Sequence, residues 1–595
     1  VLLALFFCIR KCEKVPAIWN LAVGYQLPKN NGCTGTAAIR LIFGLCTLGK
    51  LFFTPMFKEN RSWKQYPHFA HGCRANHSRG EAIIVAMIAS DKLKHAGYSH
   101  GNVFHDMTNA FLCTPHSTLN ENARNNCNAR DAKLLQQRHE EASIVLDCPD
   151  RKICFLLGEG GMVGDHGGPI SFMTSFHPGI KKWSEKVAID NQHLLATTDP
   201  ITKIEVDIGV TTSFDDIHAK HFINSTNKKT QEPFMRLQKA NNALDNILDK
   251  AGYAQNRSKQ ESLPIFIGKH SKNNYRTFVK SCRSMGLGKV GTCARYLGAQ
   301  LAAPGEYKSE LTCRLKAITI GWGRLGSFWT TESSYKMKRL CFISNVQSAG
   351  LSAGHVVPYI KSQTDQIDAR ICNYLRVAMI GKAHTVEITF APQPPLEHKY
   401  VHSCMCNEKV FKFWKIAPCS IEFRIRRIRM WQSFLRQPHQ HVQVNAAMFG
   451  KLIFEADPLD HKGETTMHSH ACLRMLENDI NNLSDNTDEG ASLGEYLKQR
   501  QGIDTLINDP EAREMFIAID PAQLRARYFS VSIPPPGYIE PSSLTAAALS
   551  PKPDSGPGTD EERKITHPWL CNMLVSEVGR CQCRFQTMRA LTQHI

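Results

Sequence analysis

The sequence predicts an α+β fold built from several units, and three stretches carry that expectation. Ile204, Val206, Ile208 and Val210 alternate with Glu205, Asp207, Gly209 and Thr211, the period-two signature of a half-buried strand. Phe234, Leu237, Leu244, Ile247 and Leu248 fall on one helical face, and Gly252 sits where such a helix would end in a left-handed residue. Ile367, Ile371, Leu375 and Ala378 repeat at helical spacing after Thr364, a candidate N-cap, and stop at Gly381, so the region beyond about Ser333 reads as mainly helical.

The bulk numbers bound the rest. At 595 residues the chain exceeds one ordinary domain, and a span of roughly 100 to 200 residues per domain suggests three or four. Its 72 Lys+Arg against 54 Asp+Glu leave a net charge of +18, which favours polyanionic partners. The 21 cysteines are odd in number and scattered, the pattern of reduced thiols in cytosol or nucleus rather than of a disulfide scaffold. The apolar start Val1 to Ile9 falls far short of the ~20 residues a spanning helix needs, so no membrane partner is expected. A chain that opens on Val1 rather than Met is expected to be a piece of a longer reading frame.

Composition divides the chain into a body, residues 1–454, a second zone, 455–565, and an end, 566–595. The second zone is acidic around Asn482 to Glu489 and rich in Pro, Ser and Gly from Ile533 to Gly558, which reads as a linker and flexible tail. The end returns to Cys, Trp, Phe and Leu, as a small appended module would.

The chemistry points to two acidic sites far apart in sequence. Asp106 follows Val103-Phe104, and Asp215-Asp216 follows the alternating strand, so both lie at expected strand ends. In-line phosphoryl transfer uses two divalent cations about 3.5 to 4 Å apart, and hard cations take oxygen ligands, so neighbouring strand-end carboxylates are a natural cage. An Asp-Asp doublet alone says little; the order of the surrounding blocks decides.

Those blocks resemble the reverse transcriptases of non-LTR retrotransposons over about Trp19 to Phe454. Pro28-Lys29, Arg40-Leu41-Ile42 and Gly49-Lys50 resemble the family's Pro-Lys, Arg-Pro-Ile and Gly-Lys; Gly72-Cys73-Arg74 through Ser78 and Ala82-Ile83 resembles the block before the first catalytic strand. His105-Asp106-Met107-Thr108-Asn109-Ala110-Phe111 is similar to the first catalytic motif. His166-Gly167-Gly168-Pro169-Ile170-Ser171 is similar to the Gln-Gly-X-Pro-Leu-Ser block, with His166 in place of Gln. Ser213-Phe214-Asp215-Asp216 resembles the aromatic-Ala-Asp-Asp signature, followed by Gly252, Asn256 and Lys259, and then by Tyr296-Leu297-Gly298, Glu310, Arg314 and Ala317 as the element that grips the primer. The aromatic stands one residue late: Phe214 directly precedes Asp215, so either Ser213 substitutes for it or the strand carries a compensating bulge.

The resemblance implies a right-hand polymerase with fingers in 1–100, a palm with a split βαβ sheet in 101–332 and a helical thumb or connection in 333–454. It implies RNA-directed DNA polymerisation on an RNA template and DNA primer, with Asp106, Asp215 and Asp216 as catalytic ligands of two magnesium ions. Lys29, Arg40, Phe111, Gly167 and Lys259 would bind the deoxynucleoside triphosphate. The alternative is a catalytically decayed remnant that still binds nucleic acid.

Three further patterns carry expectations. Lys412, Lys415, Arg424, Arg426, Arg427, Arg429 and Arg436 interleave with Phe411, Phe413, Trp414, Phe423 and Trp431, which suits either a nucleic-acid groove or a packed helix with a solvated basic face. Cys581, Phe585, Leu591 and His594 keep the spacing of a two-cysteine, two-histidine zinc finger, but Val578 stands where a Cys belongs and no second His follows, the pattern of a degenerate or truncated finger. The pairs His439 with His441 and His468 with His470 read as solvated loop histidines.

Overall fold

The computed structural model describes residues 1–29, 38–59, 66–148, 150–162, 164–165, 167–223, 231–285, 288–380, 383–390, 398–452 and 470–530, together with four short strands between 569 and 585. In chain order the first strands are β1 (Leu21–Pro28), β2 (Ile39–Leu45), β3 (His100–His105), β4 (Ser143–Asp147), β5 (Lys152–Leu156), β6 (Ala196–Thr198), β7 (Glu205–Asp207), β8 (Val210–Ser213), β9 (Asp216–Phe222), β10 (Glu261–Ile265) and β11 (Lys289–Val290). They are followed by β12 (Cys293–Tyr296) and β13 (Ala299–Ala302). Helices contribute more of the described chain than strands, and the fold is α+β.

Two sheets matter. One has the order β2-β1-β4-β5, and the other the order β11-β10-β3-β9-β8. In the second sheet β3 runs antiparallel to β9 and to β10, and β9 antiparallel to β8. Helix Gly167–Asp190 lies between β3 and β8 in the chain, and helix Gln231–Lys250 between β9 and β10, so the outer strands of each βαβ unit flank the other unit: a split βαβ arrangement. Both helices cover the same face. Phe172, Phe176, Ile180 and Trp183 from the first and Ala243, Leu244 and Leu248 from the second pack on Val210, Ile217 and Ala219. Leu244 and Leu248 thus use the helical stripe expected from the sequence, and Gly252 has φ +80° beyond the helix end.

The opposite face is covered by helix Arg79–His95, whose Ala82 to Ala89 run is apolar on every side, as a helix segment buried all round must be. Its Ala82 to Leu93 run joins Phe104 and Leu263 of the sheet in one core. Where β9 turns His218 and Lys220 toward that helix, the polar groups are paired: Lys220 Nζ donates to Ala86 O and Asn102 Oδ1, each at 2.6 Å.

Several expectations change. The alternating run is two strands, not one: β7 pairs with β6, and β8 belongs to the other sheet, with buried Ile208 and Gly209 between them. The helix carrying Ile367 to Ala378 begins at Lys361 with Ile360 as N-cap, three residues before Thr364; Gly381 lies outside the described residues. Its buried stripe of Ile367, Ile371 and Leu375 packs into a helical core with Trp329, Phe342 and Trp414.

The linker expectation for 455–565 fails over 471–530. Helices Ala471–Asn486, Asp488–Lys498, Pro510–Ala518 and Gln523–Ser530 occupy it. Their Leu473, Leu476, Ile480, Leu493 and Phe516 enter the same core as Ala82 to Leu93. Net acidity concealed an apolar stripe at helical spacing, which is what decides folding. The Pro-rich run from Ile533 lies outside the described residues, as do Cys581, His594 and His468. His441 and His470 are buried rather than solvated, while His439 is exposed. Among the described residues no helix is long and apolar enough to cross a membrane.

Candidate active site

β3 is buried at all six positions, so its exit is fixed, and Asp106 is the next residue. The register of β3 against β9 ends at His105↔Ile217, which sets Asp106 opposite Asp216, the first residue of β9. β8 and β9 close through a two-residue turn, Phe214-Asp215, with Ser213↔Asp216 as the last pair. The hairpin register is continuous, so the turn and not a bulge absorbs the late aromatic. Phe214 takes φ +59° to do so, a conformation that costs a bulky residue roughly 1–3 kcal/mol. Its ring centre lies 6.1 Å from that of Phe111, and buried Ser213 holds the strand position at which the sequence resemblance expects an aromatic.

A second backbone is laid against this turn. Thr212 N donates to Phe69 O at 2.8 Å and His71 N donates to Thr212 O at 2.9 Å, so residues 69–71 run along β8. This brings Gly72 to Phe214: a Cβ on Gly72 would stand 2.4 Å from Phe214 N. Only glycine fits there.

The Gly252, Asn256 and Lys259 block docks beside Asp106. Asn256 N donates to Asp106 O at 2.7 Å and Thr108 N to Ala254 O at 2.9 Å. Lys259 Nζ lies 2.9 Å from Asp106 Oδ2. Burial and the neighbouring Asp106 push the Asp215 carboxyl above the usual range, against a backbone hydrogen bond and Lys259 that favour its charged form. Burial, with repulsion from Asp215 and Asp106, raises Asp216 to about 7. Lys259 and Arg295 oppose that shift. Arg295 was not singled out in the sequence; it lies on β12, outside the family blocks.

Asp215 and Asp216, both raised in proton affinity by burial and by the neighbouring Asp106, make a site that favours added positive charge, and an all-oxygen donor set of three carboxylates suits magnesium. Their donor atoms are not all within 4.8 Å of one another, since among the described residues only His71, His77 and Glu81 form such a group of three. That spread is compatible with carboxylates shared between two ions, rather than gathered on one.

The remaining expected site residues divide. Phe111 lies on the short helix Ala110–Leu112 just past Asp106 and stacks near Phe172, ring centres 4.5 Å apart. Gly167 lines the same cavity as Phe111, and a Cβ there would enter the Phe57 ring. Lys29 and Arg40 are exposed at the far end of the β1–β2 hairpin, on the other sheet. His166 lies outside the described residues.

Tyr296-Leu297-Gly298 forms the β12–β13 turn, with Tyr296↔Ala299 as its closing pair and φ of +50° and +87° at the two turn residues. Glu310 Oε2 accepts from Gln300 N at 2.6 Å, and the Arg314 guanidinium, 2.7 Å from Glu310, donates to Gly298 O. These block residues brace the hairpin.

The basic and aromatic stripe falls on two packed helices, Asn407–Trp414 and Cys419–Arg436. Phe423 and Trp431 are buried, as are Phe411 and Trp414 nearby, and Arg427 donates two hydrogen bonds to buried Asp479 at 2.6 and 2.7 Å. Of the five aromatics in the stripe only Phe413 is exposed, so it cannot form a run of stacking faces for bases.

No family model and no curated protein sequence matches the chain. Among solved structures it is similar to an apo telomerase from Candida tropicalis truncated from its C-terminal domain, at 10% identity and a TM-score of 0.32, covering 49% of this chain and 55% of that one. It is also similar to a Candida tropicalis telomerase in complex with a fragment of telomeric RNA, at 11% identity and TM-score 0.34, covering 79% of this chain and 62% of that one. A Candida albicans telomerase in a corresponding complex gives 8% identity and TM-score 0.31 over 84% of this chain and 68% of that one. The chain thus spans less than two thirds of the length of the first two.

Proposed function

We propose that the chain is the RNA-directed DNA polymerase of a non-LTR retrotransposon, with the split βαβ sheet as its palm. The observation that carries this reading is the pairing of β3 with β9, which sets Asp106 opposite Asp216 and beside Asp215 on a split βαβ sheet. Asp106, Asp215 and Asp216 would hold two magnesium ions. When bound, such ions lower the proton affinity of a primer 3′-hydroxyl and stabilise charge on the leaving pyrophosphate.

The chain's own residues do the rest. Lys259, paired with Asp106, would bind a triphosphate oxygen beside the carboxylates. Phe111 and Phe214 offer an apolar platform beside the carboxylates for the incoming sugar and base. Gly167, where a side chain has no room, keeps backbone close to the same cavity. Lys29 and Arg40, exposed on the β1–β2 hairpin, would reach the triphosphate from the fingers side, Arg being suited to bidentate phosphate contact.

Primer extension on an RNA template with deoxynucleoside triphosphates and magnesium tests the reading. The wild-type chain extends the primer, and Asp215→Ala loses at least about 100-fold, in line with removal of a metal ligand from a two-metal site. Equal rates in the two proteins would remove the assignment. The strained Phe214 favours a second reading, a remnant that binds template-primer without extending it; incorporation of a single nucleotide separates the two.

A further inference from the structure

A cluster of chemistry-bearing side chains lies behind the Gly72 contact, outside the carboxylate site. Glu81 is the third residue of helix Arg79–His95, and its Oε1 accepts from Ser78 N at 2.7 Å in a capping box. Its other oxygen, Oε2, is approached by three imidazole nitrogens: His77 Nδ1 at 2.7 Å, His441 Nδ1 at 3.0 Å and His71 Nδ1 at 3.4 Å. All four side chains are at most 1% exposed.

One carboxylate oxygen has two lone pairs, so three rings cannot all donate to it well. His71 is the one left over, and its protonation pattern follows from its other nitrogen. Gln443 Nε2 donates to Asp207 O and Val210 O, each at 2.8 Å, which fixes the amide so that Gln443 Oε1 is the acceptor facing His71 Nε2 at 2.8 Å. Nε2 of His71 therefore carries the hydrogen, and in the neutral ring Nδ1 presents a lone pair toward the Glu81 carboxylate. That nitrogen is buried without a hydrogen-bond partner, as is His77 Nε2. A lone pair facing an anion in a dry site calls for a positive charge between them, either a proton on His71 Nδ1 or a bound cation, and counting bound metal separates the two.

We propose that His71, His77 and Glu81 form a zinc-class divalent metal site at the start of helix Arg79–His95, with His441, the residue before helix Val442–Phe449, bonded to the Glu81 carboxylate beside it. Ligand atoms on a tetrahedral ion with bonds of ~2.0–2.1 Å stand roughly 3.3 Å apart, and His71 Nδ1 and His77 Nδ1, at 3.4 and 2.7 Å from Glu81 Oε2, bracket that value. Two imidazoles and a carboxylate meet zinc's preference, as in three-ligand zinc sites that keep a fourth position for a further ligand. Gln443 supplies the outer hydrogen bond that orients a ligating histidine. The role is structural: His71 N is bonded to Thr212 O, so occupancy holds Gly72 against Phe214.

The test uses the full chain with Cys571, Cys581 and Cys583 changed to serine, which removes thiolate ligands of the finger-like end. Chelator-stripped protein is dialysed against zinc and then against buffer, and bound metal is counted by mass spectrometry; cobalt replaces zinc in a parallel sample. One equivalent of zinc is expected, with the intense visible bands of four-coordinate cobalt and no thiolate charge-transfer band. Glu81→Gln keeps the capping hydrogen bond and is expected to weaken binding by at least about 10-fold, as is His77→Gln. Asp215→Ala is expected to retain the metal. Zinc-free folded protein, zinc retained equally in both ligand variants, or zinc lost on Asp215→Ala instead would each overturn the proposal.

Discussion

Lys259 Nζ lies 2.9 Å from Asp106 Oδ2, an ion pair that bridges 153 residues and joins the expected phosphate-binding lysine to the expected first metal ligand. The lysine side chain is 64% exposed, so the pair is screened and adds little stability. Lys259→Met is therefore expected to move the thermal midpoint by no more than a degree or two, while primer extension falls roughly 10-fold or more through KM for the triphosphate. Steady-state kinetics and a thermal melt on the same preparation check both halves.

Gly72→Ala is expected to be far more damaging than its size suggests. The added methyl would meet Phe214 N at 2.4 Å and the Phe214 ring at 3.0 Å, and the backbone partner cannot rotate away. A loss of about 1–3 kcal/mol, the usual range for overpacking, should appear in denaturant titration, together with loss of extension because the turn carries Asp215. Wild-type stability in this variant would contradict the close approach.

Stability should depend on pH through Asp216. Its folded pKa, about 7, lies above the ordinary 3.8, so between those values the folded state holds a proton that the unfolded chain has released. Stability from this group is present in full at low pH and declines as pH rises toward 7, opposite to the usual carboxylate case. Melts of metal-free protein from pH 5 to pH 8 are expected to show the decline, with Asp216→Asn flattening it and magnesium offsetting it above pH 7. A rising or flat wild-type profile that Asp216→Asn leaves unaltered would refute it.

Asp479→Ala is expected to cost about 3–5 kcal/mol. The substitution leaves Arg427, whose charge Asp479 stabilises, buried without its carboxylate partner. Chemical denaturation should show a single lowered transition; an unchanged one would mean that helix Ala471–Asn486 does not fold with the body.

What the sequence made legible follows from the range of the interactions involved. The order of the aspartate, glycine and lysine blocks was readable because each block is local, and so was the helical stripe of Leu244 and Leu248. The break at Ile208-Gly209 was hidden, since alternation runs through it without a change of period, and only pairing with β6 or β9 separates the two strands. The helices of 471–530 were missed because charge around Asn482 to Glu489 outweighed Leu473, Leu476, Ile480 and Leu483 in the reading. The basic stripe was ambiguous for a similar reason: Arg427 looks free until Asp479, 52 residues later, is folded against it. The His71, His77 and Glu81 spacing could have been noticed on a helix start, but His441 lies 360 residues from Glu81 and no local rule connects them.

Lys92 Nζ donates to the carbonyl of Gly450, 358 residues away, and the face of its helix is sealed by segments reaching Leu524. During synthesis, then, the ribosome releases Ala82 to Leu93 long before their partners exist. The nascent polypeptide must carry that greasy surface through several hundred codons, which makes slow, late assembly and reliance on chaperones the natural route to the native state.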